Sequence, residues 1–378
     1  MPDVTLTYIS FGSNEGHRLY ALQKAIYAVG SQVGDIQAIS SVYESAAMGF
    51  EGEDFLNLCL GVKTSLTPEK LMETLIHIEE KMGRVRHLES GYEPRIIDLD
   101  ILYYGDQVIQ TDHVAIPHPE IQNRLFVLKP LADIAPQFYH PILGKDTRNL
   151  LQECPDRSAI SKVHPPLPAN RESFFSAVNF LAIEGNIGAG KTSLAKRIAT
   201  DFNAKIVLER FADNPFLPKF YKDQNRYAFP LEMSFLADRY QQFKDDTSQF
   251  DLFKNFMVSD YDIYKSLIFA QVTLQKDEFK LYRKIFTSMY TNVKKPDLYV
   301  YLYQSTERLL ENIRKRGRSY EQEIEPHYLE HINKGYLEFI KSLQEQKTAV
   351  LDISEMDFVD HEGDYQKILE EIERYWLQ

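Results

Sequence analysis

Two stretches of the chain contain residue types at spacings that could handle phosphate groups. In the first, Asp98 and Asp100 lie two residues apart within an apolar run. Side chains alternate across a β-strand, so both carboxylates would point to one face, about 6.6 Å apart. Two carboxylates at this spacing repel each other, and Mg²⁺, which prefers one or two carboxylates plus substrate phosphates, removes that repulsion. The alternative is the polar face of an edge strand.

Charged residues on either side of this stretch favour the metal over the edge strand. Glu79, Arg84 and Arg86 lie near the end of a predicted helix before the strand, and His118 and Arg124 follow it. Arginine and histidine beside paired aspartates suit a polyphosphate that is bound through a metal ion.

The second stretch reads GNIGAGKT, the pattern G-x-x-x-x-G-K-[ST], between a predicted strand and a predicted helix. Its glycines allow backbone N–H groups to face phosphate oxygens, and the start of the helix adds positive potential. Lys191 can reach the β- and γ-phosphates, and Thr192 can hold Mg²⁺. The residues predicted to bind the nucleotide are Gly185, Asn186, Gly188, Ala189, Gly190, Lys191 and Thr192.

Asp260 is a further candidate metal ligand, because it ends the apolar run that begins at Phe256. A carboxylate at the end of a second strand is expected near the metal of such a phosphate site. The alternative, an aspartate that caps the following helix, is compatible with the same placement.

The composition is that of a globular protein. The chain has 378 residues, which favours two domains, with 44% hydrophobic and 26% charged residues. A formal net charge of −12 argues against nucleic acid or an anionic membrane as the main partner, because both reward a basic face. Cys59 and Cys154 fit neither a zinc spacing nor a disulfide framework, and we find no signal peptide or membrane-spanning run. We therefore expect a cytoplasmic protein.

Alternating strand and helix patterns divide the chain into two domains. In the first half, residues 4–11 and 95–104 are predicted strands, and Thr67 with Pro68 begins a predicted helix. The proline-rich segment 164–176 is predicted to be a linker between a domain at 1–163 and a domain at 177–378. The second domain is predicted to hold a parallel sheet covered by helices on both faces, from apolar runs at 180–184, 205–209, 256–260, 298–303 and 349–352.

The first domain resembles the 6-hydroxymethyl-7,8-dihydropterin pyrophosphokinases of the folate pathway over residues 4–160. The resemblance implies a ferredoxin-like α+β fold and transfer of the terminal pyrophosphate of ATP to the pterin hydroxymethyl group. It is carried, in family order, by Gly12-Ser13-Asn14, Phe55-Leu56-Asn57, Gly83-Arg84-Val85-Arg86, Pro94-Arg95, Asp98-Leu99-Asp100 and Pro117-His118.

This resemblance implies a role for each matching residue. Asp98 and Asp100 would bind two Mg²⁺ ions that bridge ATP and the pterin hydroxyl. Asn57 would hydrogen-bond the pterin, and Phe126 would stack on its ring, which is a general way to hold a flat heterocycle. The residues implied to meet ATP and its phosphates are Glu79, Arg84, Arg95 and His118.

The second domain resembles deoxynucleoside kinases from residue 178 to the end, and is most similar to the bacterial purine-type enzymes. The resemblance implies a P-loop kinase fold, with ATP as phosphate donor and a deoxynucleoside as acceptor. It is carried by LERFADNPFL at 208–217, FYKD at 220–223, FLADR at 235–239 and RGRSYEQ at 316–322, the last of which looks like the lid.

The roles implied in this domain centre on the nucleoside 5′-hydroxyl. Glu209 would take the proton from that hydroxyl, and Tyr221 with Glu321 would hold the 3′-hydroxyl of the deoxyribose. Arg316 and Arg318 would close over the phosphates and stabilise charge in the transition state. The nucleoside pocket would also contain Arg239 and Glu232.

Two departures from the family pattern predict features specific to this chain. Many relatives have glutamine where Glu232 lies, and an ionised glutamate only accepts hydrogen bonds. Guanine offers two adjacent donors, so we hypothesise a preference for deoxyguanosine. Many relatives also carry Glu-Arg-Ser where this chain has Asp260-Tyr261-Asp262, so that arginine is missing. Arg210 and the lid arginines are candidates for its task.

Other functional classes remain open at this stage. One half could be catalytic and the other a structural or nucleotide-sensing module, although a sensor needs no base such as Glu209. A nucleic-acid-binding ATPase is disfavoured by the negative charge. The resemblance to the kinases implies a homodimer with small-molecule substrates, a dihydropterin and a deoxynucleoside.

Overall fold

The computed structural model describes residues 4–47, 52–84, 94–111, 113–210, 214–248, 253–290, 293–343 and 346–378. The chain forms two compact units. The first comprises Met1–Phe174 and Leu377–Gln378, and the second comprises Phe175–Trp376. Within the described ranges, no helix combines the length and apolar character needed to cross a membrane.

The first unit is an α+β structure. Its strands are β1 (Thr5–Ser13), β2 (Gly34–Ile39), β3 (Val42–Ser45), β4 (Phe55–Thr64), β5 (Asp98–Tyr104), β6 (Ile109–Gln110), β7 (Ala115–Ile116) and β8 (Ile160–His164). Its helices are α1 (Arg18–Gln32), α2 (Pro68–Lys81), α3 (Leu125–Ile134) and α4 (Thr147–Glu153), with a 3₁₀ turn at Ile121–Asn123. Helix α5 (Arg171–Ala177) follows at the boundary between the units.

An antiparallel sheet organises the first unit, in the order β5-β1-β4-β3-β8, with β2 also paired to β4. Alternate residues of its central strands face two separate cores: Ile9 belongs to the core that also contains residues of α1 and α2, and Tyr8 belongs to the core with α3 and α4. This period of two is the signature of a sheet that is covered on both faces. The α+β prediction for this unit is confirmed.

Helix α2 begins as the sequence predicts. The Thr67 hydroxyl accepts a hydrogen bond from the backbone N–H of Lys70, and Pro68 occupies the first turn, where its missing donor is not needed. Leu71, Leu75 and Ile78 are buried along one face. The helix therefore ends close to β5 with Glu79 turned inward.

The second unit is a parallel α/β structure. Its strands are β9 (Phe180–Gly185), β10 (Lys205–Val207), β11 (Met257–Ser259), β12 (Leu298–Tyr303) and β13 (Thr348–Asp352). Its helices are α6 (Lys191–Asp201), α7 (Leu217–Lys222), α8 (Gln224–Ser248), α9 (Tyr264–Thr273), α10 (Lys276–Tyr290), α11 (Thr306–Arg316), α12 (Pro326–Ser342) and α13 (Glu362–Trp376), with a 3₁₀ turn at Ser319–Glu321.

All pairings in this second sheet are parallel, in the order β10-β11-β9-β12-β13. Every residue of β9 is buried, as expected for a central strand with helices on both faces. The prediction of a parallel sheet is confirmed. Because the carboxyl ends of parallel strands share one edge, the ends of β9, β10 and β11 come together, and ligands of open α/β sheets bind at this edge.

The segment predicted as a linker, 164–176, contains the last residue of β8 and most of α5. Within it, Leu167 is 2% exposed and packs in the core of the first unit. The amide of Gln23 also donates to the carbonyl of Pro168 at 2.7 Å. These contacts attach the segment to the first unit, and the domain limits of 1–163 and 177–378 stay a prediction.

Candidate active sites

Strand β1 aligns the first candidate site, because Gly12 is paired with Asn57 of β4 on one side and with Asp98 of β5 on the other. A Cβ placed on Gly12 would lie 3.6 Å from Asn57 Oδ1 and 3.9 Å from Asp98 Cβ. The three positions therefore share one face of the sheet, and glycine keeps the middle of that face flat. The amide of Asn57 donates to Ser45 Oγ at 3.0 Å, which fixes its orientation.

A charge cluster lies beside this face at the end of α2. Arg84 Nη1 contacts Glu79 Oε1 at 2.5 Å and Asp98 Oδ1 at 2.6 Å, and Arg95 Nη1 contacts Asp98 Oδ2 at 2.6 Å. Glu79 is 2% exposed and also accepts the backbone N–H of Leu99 at 2.8 Å. Both oxygens of Asp98 thus have arginine partners, and Glu79 ties the cluster to β5.

Asp100 is an acidic residue of the cluster whose ionisation is disfavoured. Burial raises its pKa to about 6, and the charge of Asp98 contributes to the rise, whereas Arg124 opposes it. A cation between the two aspartates would remove this repulsion, so the pair fits Mg²⁺. Among the described residues, no cluster of three or more His, Cys, Asp or Glu side chains could hold a metal.

His118 follows β7 and faces the same charges. Its Nδ1 accepts the backbone N–H of Glu120 at 3.2 Å, so a neutral ring carries its proton on Nε2. Burial, followed by the charge of Arg124, lowers the pKa of His118. The guanidinium of Arg124 lies 5.8 Å from the centre of the Phe126 ring. Arg124 therefore interacts with both the predicted phosphate ligand, His118, and the predicted stacking residue, Phe126.

Sequence reasoning gave no individual role to two residues of this site, although it counted Arg124 among the charged residues expected near a polyphosphate. Arg124 acts electrostatically on both Asp100 and His118. A ring carbon of Phe55 would lie 3.5 Å from a Cβ on Gly12, so this aromatic belongs to the face of Asn57. Both lie within motifs that the sequence had singled out, which was the available signal. Arg86 lies outside the described residues.

The second candidate site is the loop between β9 and α6. Gly188 and Gly190 have φ angles of 87° and 85°, a region that favours glycine. A Cβ on Gly190 would lie 2.7 Å from Phe358 Cζ, and one on Gly188 would lie 3.0 Å from the carbonyl oxygen of Leu309. Conformation and space together require glycine at both positions.

Side chains of the loop hold it in place. The amide of Asn186 donates to the Leu329 carbonyl at 2.7 Å and to Asn333 Oδ1 at 2.9 Å, which ties the loop to α12. The side chain of Asn186 is therefore structural, and its backbone N–H is what remains for phosphate. Ala189 is fully buried beneath the loop.

Lys191 is held inside the loop by backbone carbonyls. Its Nζ donates to the carbonyls of Gly185 and Asn186, both at 2.9 Å. Burial lowers the pKa of Lys191 to about 8, and the charge of Lys265 contributes to the fall. Bound phosphate would give this ammonium the anionic partner that the carbonyls replace only in part.

Thr192 and Asp260 form the donor set that a P-loop metal requires. Thr192 Oγ1 donates to Asp260 Oδ2 at 2.5 Å. The other oxygen, Asp260 Oδ1, accepts the backbone N–H of Glu209 at 2.8 Å. A hydroxyl and a carboxylate in contact fit Mg²⁺ with phosphate ligands. Asp260 also links this donor set to the end of β10.

Glu209 is a buried carboxylate with two cationic partners. Arg239 donates from Nε at 2.8 Å and from Nη2 at 2.7 Å to Oε1, and Lys265 Nζ contacts Oε2 at 2.7 Å. Despite burial, the charges of Lys265 and Arg239 hold the pKa of Glu209 far below its usual value. Glu209 is thus ionised, and its position is fixed.

The sequence did not identify Lys265 as one of the two cations that contact Glu209. Arg210, one of the candidates for the missing arginine, has a side chain that is 77% exposed and lies 3.8 Å from Asp246. It is Lys265, from the first turn of α9, that contacts Glu209. The lid arginines contact Glu321.

Glu232 lies deeper in the same unit, on α8, and is 2% exposed. Its Oε1 lies 3.1 Å from Thr273 Oγ1, and its Oε2 is buried with no hydrogen-bond partner among the described residues. Burial raises the pKa of Glu232 to about 7, against the opposing charge of Arg239. One carboxyl oxygen of Glu232 is thus an acceptor that the described residues leave without a hydrogen bond.

The lid residues meet on one acidic side chain. Arg316 contacts Glu321, and Arg318 Nη1 lies 3.2 Å from Glu321 Oε1. The two arginine side chains are about one third exposed, at 35% and 34%, whereas that of Glu321 is 6% exposed. The 3₁₀ turn that carries Glu321 contacts α7, the helix of Tyr221. The structure thus brings the two predicted sugar-binding residues onto neighbouring elements.

Comparison with known proteins agrees with this division. A family model described as deoxynucleoside kinase matches residues 181–376, and one described as 7,8-dihydro-6-hydroxymethylpterin-pyrophosphokinase matches residues 8–136. A deoxyguanosine kinase of Bacillus subtilis is 39% identical over 193 residues, which cover 50% of this chain and 93% of that protein.

Relatives of the first unit match it separately. A 2-amino-4-hydroxy-6-hydroxymethyldihydropteridine pyrophosphokinase of Synechocystis is 39% identical over 160 residues, covering 42% of this chain and 80% of that protein.

Among solved structures, a deoxyadenosine kinase from M. mycoides with bound dATP covers 51% of this chain and 98% of that chain, with 26% identity and a TM-score of 0.45. The chain belongs to the deoxynucleoside kinase family through its second unit and to the hydroxymethyldihydropterin pyrophosphokinase family through its first.

Proposed function

We propose that both units of the chain are active, and that each works with ATP and Mg²⁺ on a small substrate of its own. Family membership gives the two reaction classes: pyrophosphoryl transfer to a hydroxymethyldihydropterin, and phosphoryl transfer to a deoxynucleoside. The assignment of residues to roles is the proposal, together with the preferred nucleoside. We also propose a cytoplasmic homodimer, from the composition and the resemblance to the kinases.

In the first unit, we propose that Asp98 and Asp100 hold Mg²⁺, which neutralises phosphate charge when bound. Arg84, Arg95 and His118 bind the phosphates, and Glu79 holds Arg84 in place. The observation that supports this arrangement is the direct contact of Arg84 and Arg95 with Asp98, because arginines already grouped at the carboxylates need little movement to reach a phosphate.

The pterin is proposed to lie on the flat face around Gly12. Asn57 hydrogen-bonds its edge, and Phe126 stacks on its ring, with Phe55 as a second aromatic at this face. The pterin hydroxymethyl group would then point along the sheet toward Asp98, which lies across β1 from Asn57.

In the second unit, Glu209 accepts the proton of the nucleoside 5′-hydroxyl while Arg316 and Arg318 stabilise charge on the transferred phosphoryl group. The observation that carries this proposal is the chain of contacts from Thr192 through Asp260 to the backbone of Glu209. It sets the base at a fixed place beside the P-loop. Tyr221 and Glu321 bind the 3′-hydroxyl, which selects deoxyribose in the correct orientation.

We propose deoxyguanosine as the preferred acceptor. Oε2 of Glu232 is a buried acceptor with no hydrogen-bond partner among the described residues, and the buried charge of Arg239 acts on the same carboxyl. An ionised Glu232 can accept from both N1–H and the 2-amino group of guanine, whereas adenine and cytosine would place an acceptor opposite an acceptor. The similarity to a protein named deoxyguanosine kinase supports the same choice.

The products of ATP distinguish the two sites in one reaction. Pyrophosphoryl transfer releases AMP, and phosphoryl transfer releases ADP. We expect the purified chain to form AMP with 6-hydroxymethyl-7,8-dihydropterin and ADP with deoxyguanosine. Asp100→Asn should abolish only the first, and Lys191→Ala only the second, so each variant is the control for the other.

The same assay decides between the alternatives. Absence of pterin-dependent AMP from the wild-type chain would leave the first unit as a structural module. Absence of ADP formation with all four deoxynucleosides would favour a nucleotide sensor in the second unit. Deoxycytidine or thymidine as the best acceptor would refute the assignment of Glu232.

A further inference from the structure

Lys265 binds the carboxylate oxygen of Glu209 that Arg239 does not contact. Arg239 takes Oε1 and Lys265 takes Oε2, and the three side chains are 4%, 8% and 8% exposed for Arg239, Lys265 and Glu209. We propose that Lys265 is a positioning residue that fixes the Glu209 carboxylate toward the 5′-hydroxyl, in place of the arginine that relatives carry where this chain has Tyr261. The inference rests on the role of Glu209 proposed above.

The first turn of α9 delivers Lys265 in one defined direction. The carboxyl group of Asp262 accepts the backbone N–H of Tyr264, the first residue of the helix, at 2.9 Å. The Lys265 ammonium lies 5.5 Å from the centre of the Phe269 ring, one turn further along. The Glu209 carboxylate and the Phe269 ring together restrict the Lys265 side chain, which would otherwise have many rotamers.

The same turn also positions the second partner of Glu209. Arg239 Nη1 donates to Ser266 Oγ at 2.9 Å, and Ser266 is the residue after Lys265. Helix α9 therefore contacts both cations that bind the carboxylate. A displacement of this turn would move both partners of Glu209 together.

Tyr261, at the aligned position, and Arg210, the candidate from the sequence, do not supply this cation. Tyr261 is fully buried and packs edge-on against Phe243, with ring centres 6.0 Å apart, and its phenol carries no positive charge. Arg210 is exposed and lies beside Asp246. In the described structure, Lys265 is the ammonium that contacts Glu209 opposite Arg239.

Orientation by two partners matters because a base must meet its proton in a narrow geometry. A carboxylate held through one oxygen can still rotate about its Cγ–Cδ bond, whereas contacts on both oxygens fix its plane. Misplacement of a reacting group by about 1 Å lowers rates about a hundredfold. Loss of Lys265 should therefore lower kcat more than it changes the KM for ATP, since the ATP phosphates bind to the P-loop.

The test is a mutant cycle in the purified full-length chain, measured as deoxyguanosine-dependent ADP formation. The variants are Lys265→Met, Glu209→Gln and the double variant, with Lys265→Arg as rescue and Arg210→Met as matched control. We expect Lys265→Met to lose about a hundredfold in kcat, Lys265→Arg to recover most of it, and Arg210→Met to match wild type. The double variant should be no slower than Glu209→Gln alone, because a residue that acts through Glu209 has no effect once the carboxylate is gone.

Pterin-dependent AMP formation by the first unit is measured in every variant, together with thermal unfolding, so that a folding defect is recognised. If Lys265→Met does not fold, Lys265→Gln replaces it and is judged by the same outcomes. Full activity of Glu209→Gln would refute the proposed base itself. Loss of activity in Glu209→Gln with normal kcat in Lys265→Met, or multiplied losses in the double variant, would overturn the role of Lys265 and leave the base intact.

Discussion

Replacement of Glu232 by glutamine tests how this kinase selects its base. The substitution Glu232→Gln keeps the size of the side chain and converts one acceptor oxygen into a donor. In the structure, Oε1 faces Thr273 and Oε2 has no hydrogen-bond partner among the described residues, so the wild-type carboxyl keeps acceptor capacity for a ligand. The orientation of the amide is not fixed by Thr273, because a hydroxyl can both donate and accept.

The magnitude follows from the hydrogen bonds that guanine would lose. A hydrogen bond to a charged group contributes about 1.5–3 kcal/mol, and the glutamine replaces a charged acceptor pair by one neutral acceptor and one donor. A net loss of that size lowers kcat/KM for deoxyguanosine about tenfold to a hundredfold. Adenine gains in the same variant, since an amide can accept from its 6-amino group and donate to N1. The ratio of deoxyguanosine to deoxyadenosine activity should fall by at least about tenfold.

The dependence of this ratio on pH gives a second, independent result. The pKa of Glu232 is raised to about 7, so the wild-type carboxyl becomes ionised between about pH 6 and 8 and its preference for deoxyguanosine should increase over that range. The other ionisable side chains that act on it, Arg239, Lys265, Glu209, Tyr282 and Tyr328, are present in both enzymes, so their effects on rate cancel in the ratio.

The assay is competition between deoxyguanosine and deoxyadenosine, with both monophosphates quantified at pH 6, 7 and 8. Wild type should show a rising ratio and Glu232→Gln a flat, lower one. A variant ratio equal to that of wild type at all three pH values would show that Glu232 does not read the base, and the reasoning from its free oxygen would be wrong.

Three further predictions concern single contacts. Gly190→Ala places a Cβ 2.7 Å from the ring of Phe358 at a φ of 85°. ADP formation should therefore be lost while pterin-dependent AMP formation persists. In denaturant unfolding, the second unit should lose about 2 kcal/mol of stability. Thr67→Ala removes the acceptor of the Lys70 N–H at the start of α2, and should destabilise the first unit by about 1 kcal/mol without changing ADP formation. Because the folded-state pKa of Glu232 lies above its ordinary value of 4.5, ionisation destabilises the fold progressively as pH rises from 4.5 through 7. Glu232→Gln should therefore unfold at a higher temperature than wild type at pH 8, and this advantage should vanish at pH 4.5.

Features encoded by adjacent residues were readable from the sequence. The P-loop was one, because its seven predicted nucleotide-binding residues follow from a strand, a glycine-rich turn and a helix in direct succession. The pairing of Asp98 with Asp100 was another, because a strand places alternate side chains on one face. The order of the strands in either sheet needed pairing information that local patterns do not contain.

Features that depend on distant parts of the chain were missed for that reason. Lys265 contacts Glu209 because α9 packs against α8, which the local sequence does not show. In the sequence, a lysine in a helical pattern resembles any solvent-exposed charge. The role of Leu167 was hidden by the prolines around it, which are typical of a linker although the leucine is buried. Side chains that contact other side chains across the fold are thus the part that sequence reasoning recovers least.

The two sites hold their acidic groups by the same device. In the first unit, both oxygens of Asp98 are bound by Arg84 and Arg95, and in the second, both oxygens of Glu209 are bound by Arg239 and Lys265. Removing a partner from a buried or partly buried charge is costly, so a carboxylate that must exchange its partners for a new ligand can do so only when its cations gain another anion. If Asp98 holds Mg²⁺ as proposed above, the phosphate of ATP would be that anion, and the carboxylate would then be free to bind the ion. In the role proposed for Glu209 no exchange would be needed, because the cations would remain in place while the carboxylate accepts a proton from a neutral hydroxyl. The first site should therefore assemble on nucleotide binding, whereas the second holds its base in position before any substrate arrives.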